Sequence, residues 1–310
     1  MISQVLATLE VAGRQVVTRV PNLRGNVTRW VRKPKPTAVP TPLPLSLLEA
    51  ELKALGVSGG RDLLVHCAWD GMPQLAAKPS ELLAVLRSLS EGATLLMPSH
   101  PALTEKNGVQ FFEVERTLTR MGLLAEAFRR TPGVKRSPFP LAPVCALGPK
   151  AELYTRDYRA ESNGTPWGKG SPYWELGEQH GQVLVLGIDF VRTLTLMHVA
   201  FDVLGEQNPI ADFYEPVEVD VKRGGQIERW HVKQQRRSLD GNLATIAFRR
   251  MALRSGTVQE RVVDGIRVAV IDAHAFLQWH LPIAQSTGLP YWKMGTGYFS
   301  WFKRVKPEEK

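Results

Sequence analysis

The order of apolar runs predicts an α/β protein in which a mixed, mostly parallel sheet is covered by helices on both faces, an α/β/α sandwich with an added β-hairpin region. Three observations carry this. Short aliphatic runs at Leu63 to His66 and Ala93 to Met97 alternate with helix-length segments at Ser46 to Leu55 and Pro79 to Ser90. A longer apolar run, Gln182 to Phe190, is broken by Gly187 and passes into helically spaced sequence. Finally, Val217 to Lys222 alternates apolar with charged residues, crosses Gly224-Gly225 and resumes at Ile227 to Val232, which is the pattern of a hairpin.

The elements follow in order along the chain. Ile2, Val5, Leu6, Leu9, Ala12, Val16 and Val20 recur at helical spacing, so the chain opens on an amphipathic helix. No acidic residue falls between Val11 and Leu48, while Arg14, Arg19, Arg24, Arg29, Arg32, Lys33 and Lys35 do. Pro34, Pro36, Pro40, Pro42 and Pro44 then form an extended linker that no helix can cross. Residues 1–44 therefore read as a separate basic module, residues 45–290 as the main α/β domain and residues 291–310 as an aromatic and basic tail. Within the domain, Ser46 is the expected cap of its helix, and a helix over Arg116 to Arg130 is stopped by Pro132-Gly133. Strand-like runs flank Gly265 between Val258 and Ile271, and a last helix contains Phe276 and Leu277.

Composition limits the class of protein. A chain of 310 residues with 44% hydrophobic composition can bury a large core. Two widely separated cysteines give neither a disulfide framework nor zinc spacing, which fits a reducing cytoplasm, and His100, His180, His231, His274 and His280 show no metal-ligand pattern. The net charge of +9 is concentrated towards the ends. These basic, partly apolar ends are read either as peripheral contacts with anionic lipid on the inner face of the membrane or, for the tail, as a segment packed on the core. No nucleic-acid-binding motif accompanies the charge.

His198 is the main candidate for chemistry. It follows the buried run at 182–190, and Thr195 stands three residues before it, on the same face of a helix. An imidazole there can remove a proton from an amine or hydroxyl near neutral pH. A buried histidine bonded to a backbone carbonyl is the competing reading.

The wider order of motifs resembles the aminoglycoside 3-N-acetyltransferase family. Met121-Gly122, Pro132-Gly133, Arg136-Ser137-Pro-Phe139-Pro140, Gly148-Pro-Lys-Ala151, Gly168-Lys-Gly-Ser171-Pro172, a strand and Thr195-Leu-Met-His198 occur in the family's sequence, with Asp62 to Ala68 and Thr94 to Ser99 as leading strand-to-loop signatures. The resemblance covers roughly residues 46–285. It implies transfer of an acetyl group from acetyl-coenzyme A to an amine on a sugar, by direct attack on the thioester, with His198 as general base and Thr195 beside it. No metal is implied. His66, Cys67, Ala68 and Ser99 lie at strand ends where open α/β sheets bind ligands. Together with Arg136 and Ser137 they are the expected coenzyme-binding residues.

The departures from the family pattern bear on the function. The family usually places Glu three residues after the histidine, where this chain has Phe201; Asp202 and Asp189 are the remaining candidates to orient the imidazole. Phe139 likewise stands where the family has a histidine. A pI near 9.7 sits better with an amino sugar carried on a nucleotide or lipid phosphate, as in surface-polysaccharide or natural-product biosynthesis, than with a free polycationic aminoglycoside. The alternative is a non-catalytic ligand-binding or interaction protein that keeps the fold.

Overall fold

The structure, a computed structural model, describes residues 2–19, 41–57, 59–210, 212–236, 239 and 242–292. The cations from Arg24 to Lys35, the prolines at 34, 36 and 40 and the tail from Lys293 onward lie outside the described residues. Along the chain run α1 (Ile2–Arg19), β1 (Leu43–Pro44), α2 (Leu45–Ala54), β2 (Leu63–Cys67), β3 (Leu75–Ala76), α3 (Pro79–Leu89), β4 (Leu95–Pro98), β5 (Thr104–Lys106), β6 (Val109–Glu113) and α4 (Leu123–Arg129). They continue as β7 (Lys135–Arg136), β8 (Val144–Leu147), α5 (Ala151–Thr155), α6 (Pro172–Glu178), β9 (Gln182–Leu186), α7 (Leu196–Leu204), β10 (Tyr214–Arg223), β11 (Gln226–Gln235), α8 (Thr245–Arg254), β12 (Val258–Val263), β13 (Ile266–Asp272) and α9 (Ala273–Thr287).

The main sheet has the order β12-β13-β9-β2-β4-β8-β7. Its central strands β9, β2 and β4 are apolar on both faces, so alternate residues feed two cores. Leu64, Val183, Val185 and Ile271 meet helices α6 to α9 through Leu176, Val199, Phe248 and Phe276. Leu63, Val65, Leu184 and Leu186 meet α2, α3 and α4 on the other side through Leu48, Leu86 and Phe128. This is the expected sandwich. Parallel pairing, however, is confined to β9, β2 and β4; β13, β12, β8 and β7 are antiparallel to their neighbours. The β12–β13 connection turns through Asp264 and Gly265, both at positive φ, and so tight a turn can only join antiparallel strands.

Three local expectations are tested by the backbone, and two of them are corrected. Gly122 adopts φ 94°, so the helix expected from Arg116 begins only at Leu123, and Arg120 and Met121 are left in a loop. The helix expected to be capped by Ser46 starts at Leu45 behind Pro44, with no side-chain cap. The hairpin forms as expected, with Gly224 and Gly225 both at positive φ. It also pairs in parallel with β6, giving a four-stranded sheet that packs Phe112, Phe139, Tyr158, Val219 and Trp230 together.

The first helix is not separate from the domain. Ala7 and Val11 are fully buried against Ala244, Ala247, Leu289 and Trp292. Glu10 accepts from the backbone N–H groups of Ile246 and Ala247 and from the Thr245 hydroxyl, at 2.9, 3.2 and 3.1 Å. Residue 244, the N-cap of α8, is alanine and has no side-chain oxygen to offer, so a carboxylate from α1 satisfies the first free amides of that helix. Val5 and Leu9 remain exposed. Among the described residues no helix is long and apolar enough to cross a membrane.

Candidate active site

The carboxyl ends of β2, β4 and β9 open on one cavity of about 280 Å³. His66, Cys67, Ala68 and Trp69 line it from the β2 side, Met97 and Pro98 from β4, Ile188 and Thr193 after β9, Arg120 to Gly122 from the loop before α4, and Leu123 from the start of α4. The loops after β2 and β9 touch here because two glycines let them. A Cβ on Gly71 would stand 1.8 Å from the Gly187 carbonyl oxygen, and one on Gly187, at φ 75°, would stand 2.4 Å from that of Ala68.

His66 is buried at the cavity wall between two threonines. The Thr193 hydroxyl lies 3.2 Å from Nδ1 and that of Thr195 lies 3.3 Å from Nε2. A hydroxyl both donates and accepts, so this pair satisfies either neutral tautomer. Burial and the charge of His100 push His66 down to about 3, and burial pushes the Cys67 thiol up to about 12. Cys67 is therefore a thiol and not a nucleophilic thiolate.

Thr195 is the N-cap residue of α7 and turns to His66, not to His198. His198 follows one turn later, stacked on Trp167 with ring centroids 4.5 Å apart. Its Nδ1 lies 2.6 Å from the Tyr291 hydroxyl, and among the described residues its Nε2 has no hydrogen-bond partner. Burial and the charges of His100 and His280 lower its pKa to about 3, so the imidazole is neutral at pH 7. His198 is not among the residues that line the cavity; Thr195, one turn before it, bonds to His66, which is.

Neither carboxylate expected to orient His198 bonds to it. Asp202 accepts from the Trp167 backbone N–H at 2.8 Å and the Tyr214 hydroxyl at 2.5 Å. It fixes the tryptophan under the imidazole instead of the imidazole itself. Burial, partly offset by those hydrogen bonds, raises its carboxyl to about 7. Asp189 caps the turn after β9 and pairs with Arg249 and Arg267, at 3.2 and 3.9 Å. Phe201 is buried, with its ring 5.3 Å from that of Phe213 and edge-on to Tyr291 at 4.9 Å. Phe139 stacks on Tyr158.

The expected coenzyme ligands divide in two. His66, Cys67 and Ala68 line the cavity. Ser99, Arg136 and Ser137 do not. Arg136 donates to the carbonyls of Val114, Thr117 and Ser99, and Ser137 accepts from the Val144 N–H, so both hold backbone in place. Arg120 is the cation that does line the cavity; the sequence predicts it inside a helix from Arg116, whereas Gly122 leaves it in a loop. Tyr291, 93 residues from His198, bonds to it and to Gln235, and neither partner had a local signal; His66 stands at the strand end where the sequence places it, but its partners Thr193 and Thr195 come from a segment 127 and 129 residues away.

The fold and sequence have known counterparts. Aminoglycoside N(3)-acetyltransferase IV from Salmonella sp is 36% identical over 155 residues, 49% of this chain and 56% of that protein. Aminoglycoside N(3)-acetyltransferase VII from Streptomyces paromomycinus is 29% identical over 203 residues, 59% of this chain and 68% of the relative. The chain thus spans about half to two thirds of the length of these curated relatives. Among solved structures, AAC-IIIb in its binary complex with CoASH superposes with a TM-score of 0.64 at 25% identity, over 81% of this chain and 96% of that one. The apoenzyme of AAC(3)-IVa gives 0.65 at 24% identity, over 82% and 93%, a likeness of fold. With the sequence model described as Aminoglycoside 3-N-acetyltransferase matching residues 64–280, the chain belongs to the aminoglycoside 3-N-acetyltransferase family.

Proposed function

We propose that this protein transfers the acetyl group of acetyl-coenzyme A to an amino group of an aminoglycoside or related amino sugar, with His198 as general base. The observation that carries the reading is a neutral imidazole with one nitrogen bonded to Tyr291 and the other without a partner among the described residues, one turn from Thr195, which bonds to His66 at the cavity wall. That cavity suits the donor. Its wall is largely apolar, as suits the aliphatic parts of a pantetheine arm, and Arg120 there offers a charge to phosphate. Among the described residues no group of three or more histidine, cysteine, aspartate or glutamate side chains is placed to hold a metal ion.

In the reaction the amine nitrogen bonds to the thioester carbonyl carbon, the carbon–sulfur bond breaks, and the nitrogen proton passes through His198 Nε2 to the departing sulfur. The products are an amide and the free thiol of coenzyme A. No acyl-enzyme forms, consistent with a Cys67 thiol held protonated. His198→Ala should lower turnover about 10²–10⁴-fold with the KM for acetyl-coenzyme A nearly unchanged. Thiol release with a panel of amines that includes a gentamicin and apramycin measures it. Full activity in the variant overturns the base assignment, and no thiol release by the wild type with any amine favours a non-catalytic binding protein.

A further inference from the structure

We propose that Tyr291 and Gln235 are positioning residues that hold His198 in the Nδ1–H tautomer and leave Nε2 to take the proton. The inference rests on the reading of His198 as base, and its geometry is independent of that reading. Tyr291 Oη lies 2.6 Å from His198 Nδ1 and donates to Gln235 Oε1 at 2.5 Å. A phenol carries one proton. Because that proton goes to the Gln235 carbonyl oxygen, the contact with His198 has only one polarity: Nδ1–H donates and the phenol oxygen accepts. The neutral imidazole has a single N–H, so Nε2 is left with its lone pair.

The rest of the surroundings fix this chain of bonds. Tyr291 is 1% exposed, its ring edge-on to Phe201 and Phe213 at 4.9 and 5.1 Å. Its backbone is held on both sides, by the Ala244 N–H donating to the Pro290 carbonyl at 2.8 Å and the Trp292 N–H donating to that of Asn242 at 2.7 Å. Gln235 ends β11, in register with Tyr214, whose hydroxyl bonds to Asp202. Neither Asp202 nor Asp189 bonds to His198, so the phenol is the group that sets the tautomer. A neutral acceptor in place of a carboxylate suits a buried site, because it orients the ring without adding a second charge to desolvate.

Long-range ¹H–¹⁵N spectra of histidine-labelled protein at neutral pH test this, with the His198 signals identified by their loss in His198→Ala. The wild type should show protonated Nδ1 and unprotonated Nε2. Tyr291→Phe keeps the packed ring and removes the acceptor; the tautomer should become mixed, and kcat should fall about 10- to 100-fold, the range seen when orienting partners are lost elsewhere. The KM for acetyl-coenzyme A should stay within about twofold. Gln235→Glu should retain the tautomer, since a carboxylate oxygen still takes the phenol proton. Gln235→Lys should invert it, since an ammonium donates to the phenol oxygen and turns the phenol proton onto Nδ1. Protonated Nε2 in the wild type, or an unchanged tautomer in both Tyr291→Phe and Gln235→Lys, overturns the proposal; should Tyr291→Phe not fold, Gln235→Lys decides alone. The spectra report the tautomer whether or not His198 is the base, and the activity of His198→Ala reports the base, so the two failures are separable.

Discussion

The indole N–H of Trp292 donates to the Thr8 hydroxyl at 3.1 Å and ties the residue beside Tyr291 to the first helix of the chain. With Ala7 and Val11 packed on the same tryptophan, α1 forms part of the wall behind the site. Val11→Asp places a charge in that contact without a partner and should cost about 3 kcal/mol or more. Leu9→Asp, at a position 66% exposed, should change stability by less than about 0.5 kcal/mol. Deleting residues 1–19 should lower both the melting temperature and thiol release, because Trp292 and then Tyr291 lose their support. Wild-type values for both after the deletion would place α1 outside the core.

The two aspartates expected to orient His198 have different work, and their asparagine variants should separate it. The amide oxygen introduced by Asp202→Asn would still accept from the Trp167 N–H, so this variant should keep turnover within about tenfold of the wild type, far from the loss expected when the general base itself is removed. Asp189→Asn weakens a partly exposed ion pair with Arg249 and should leave turnover unchanged. A loss of a thousandfold in either variant would mean that its carboxylate acts on the imidazole directly.

Stability should depend on pH through groups of opposite sense. His66, His100, His198 and His280 are held by burial at about 3 or 4, below the usual 6.5, so between those values the unfolded chain binds protons that the folded chain does not. Their contribution is present above pH ~6.5 and is lost as the pH falls. Asp202, raised to about 7, acts the other way: the folded state keeps a proton that the unfolded state has released, and its contribution declines as pH rises from ~4 through ~7. Asp202→Asn removes that decline. Its melting temperature relative to wild type should therefore rise across this interval, and a difference independent of pH in calorimetry would contradict the assignment.

The glycine crossing at the cavity makes a sharper prediction about folding. Gly71→Ala drives a methyl into the Gly187 carbonyl oxygen, a backbone atom that cannot rotate away. The loops after β2 and β9 must separate, at a cost of about 1–3 kcal/mol with weakened binding of coenzyme A. Denaturant titration and calorimetry with coenzyme A check both, and a variant as stable as wild type would show that the loops part freely.

Local pattern was enough for the α/β class, the buried strands around Leu64 and Val185, the Gly224-Gly225 hairpin and the order of motifs that placed His198, because each depends on residues within a turn or a strand of one another. The same local reasoning put His66, Cys67 and Ala68 at a strand end, where the cavity opens. Tertiary structure alone decided that β13 runs antiparallel to β9 and β8 to β4, that Arg136 serves backbone carbonyls, and that α1 is docked on α8. It also decided the partner of His198. The i+4 spacing offered Asp202, but side-chain direction and burial turned that carboxylate to Trp167 and Tyr214, and a distant segment brought Tyr291 across instead. Contacts between residues 93 positions apart are set by how layers pack, and no periodicity in the chain encodes them.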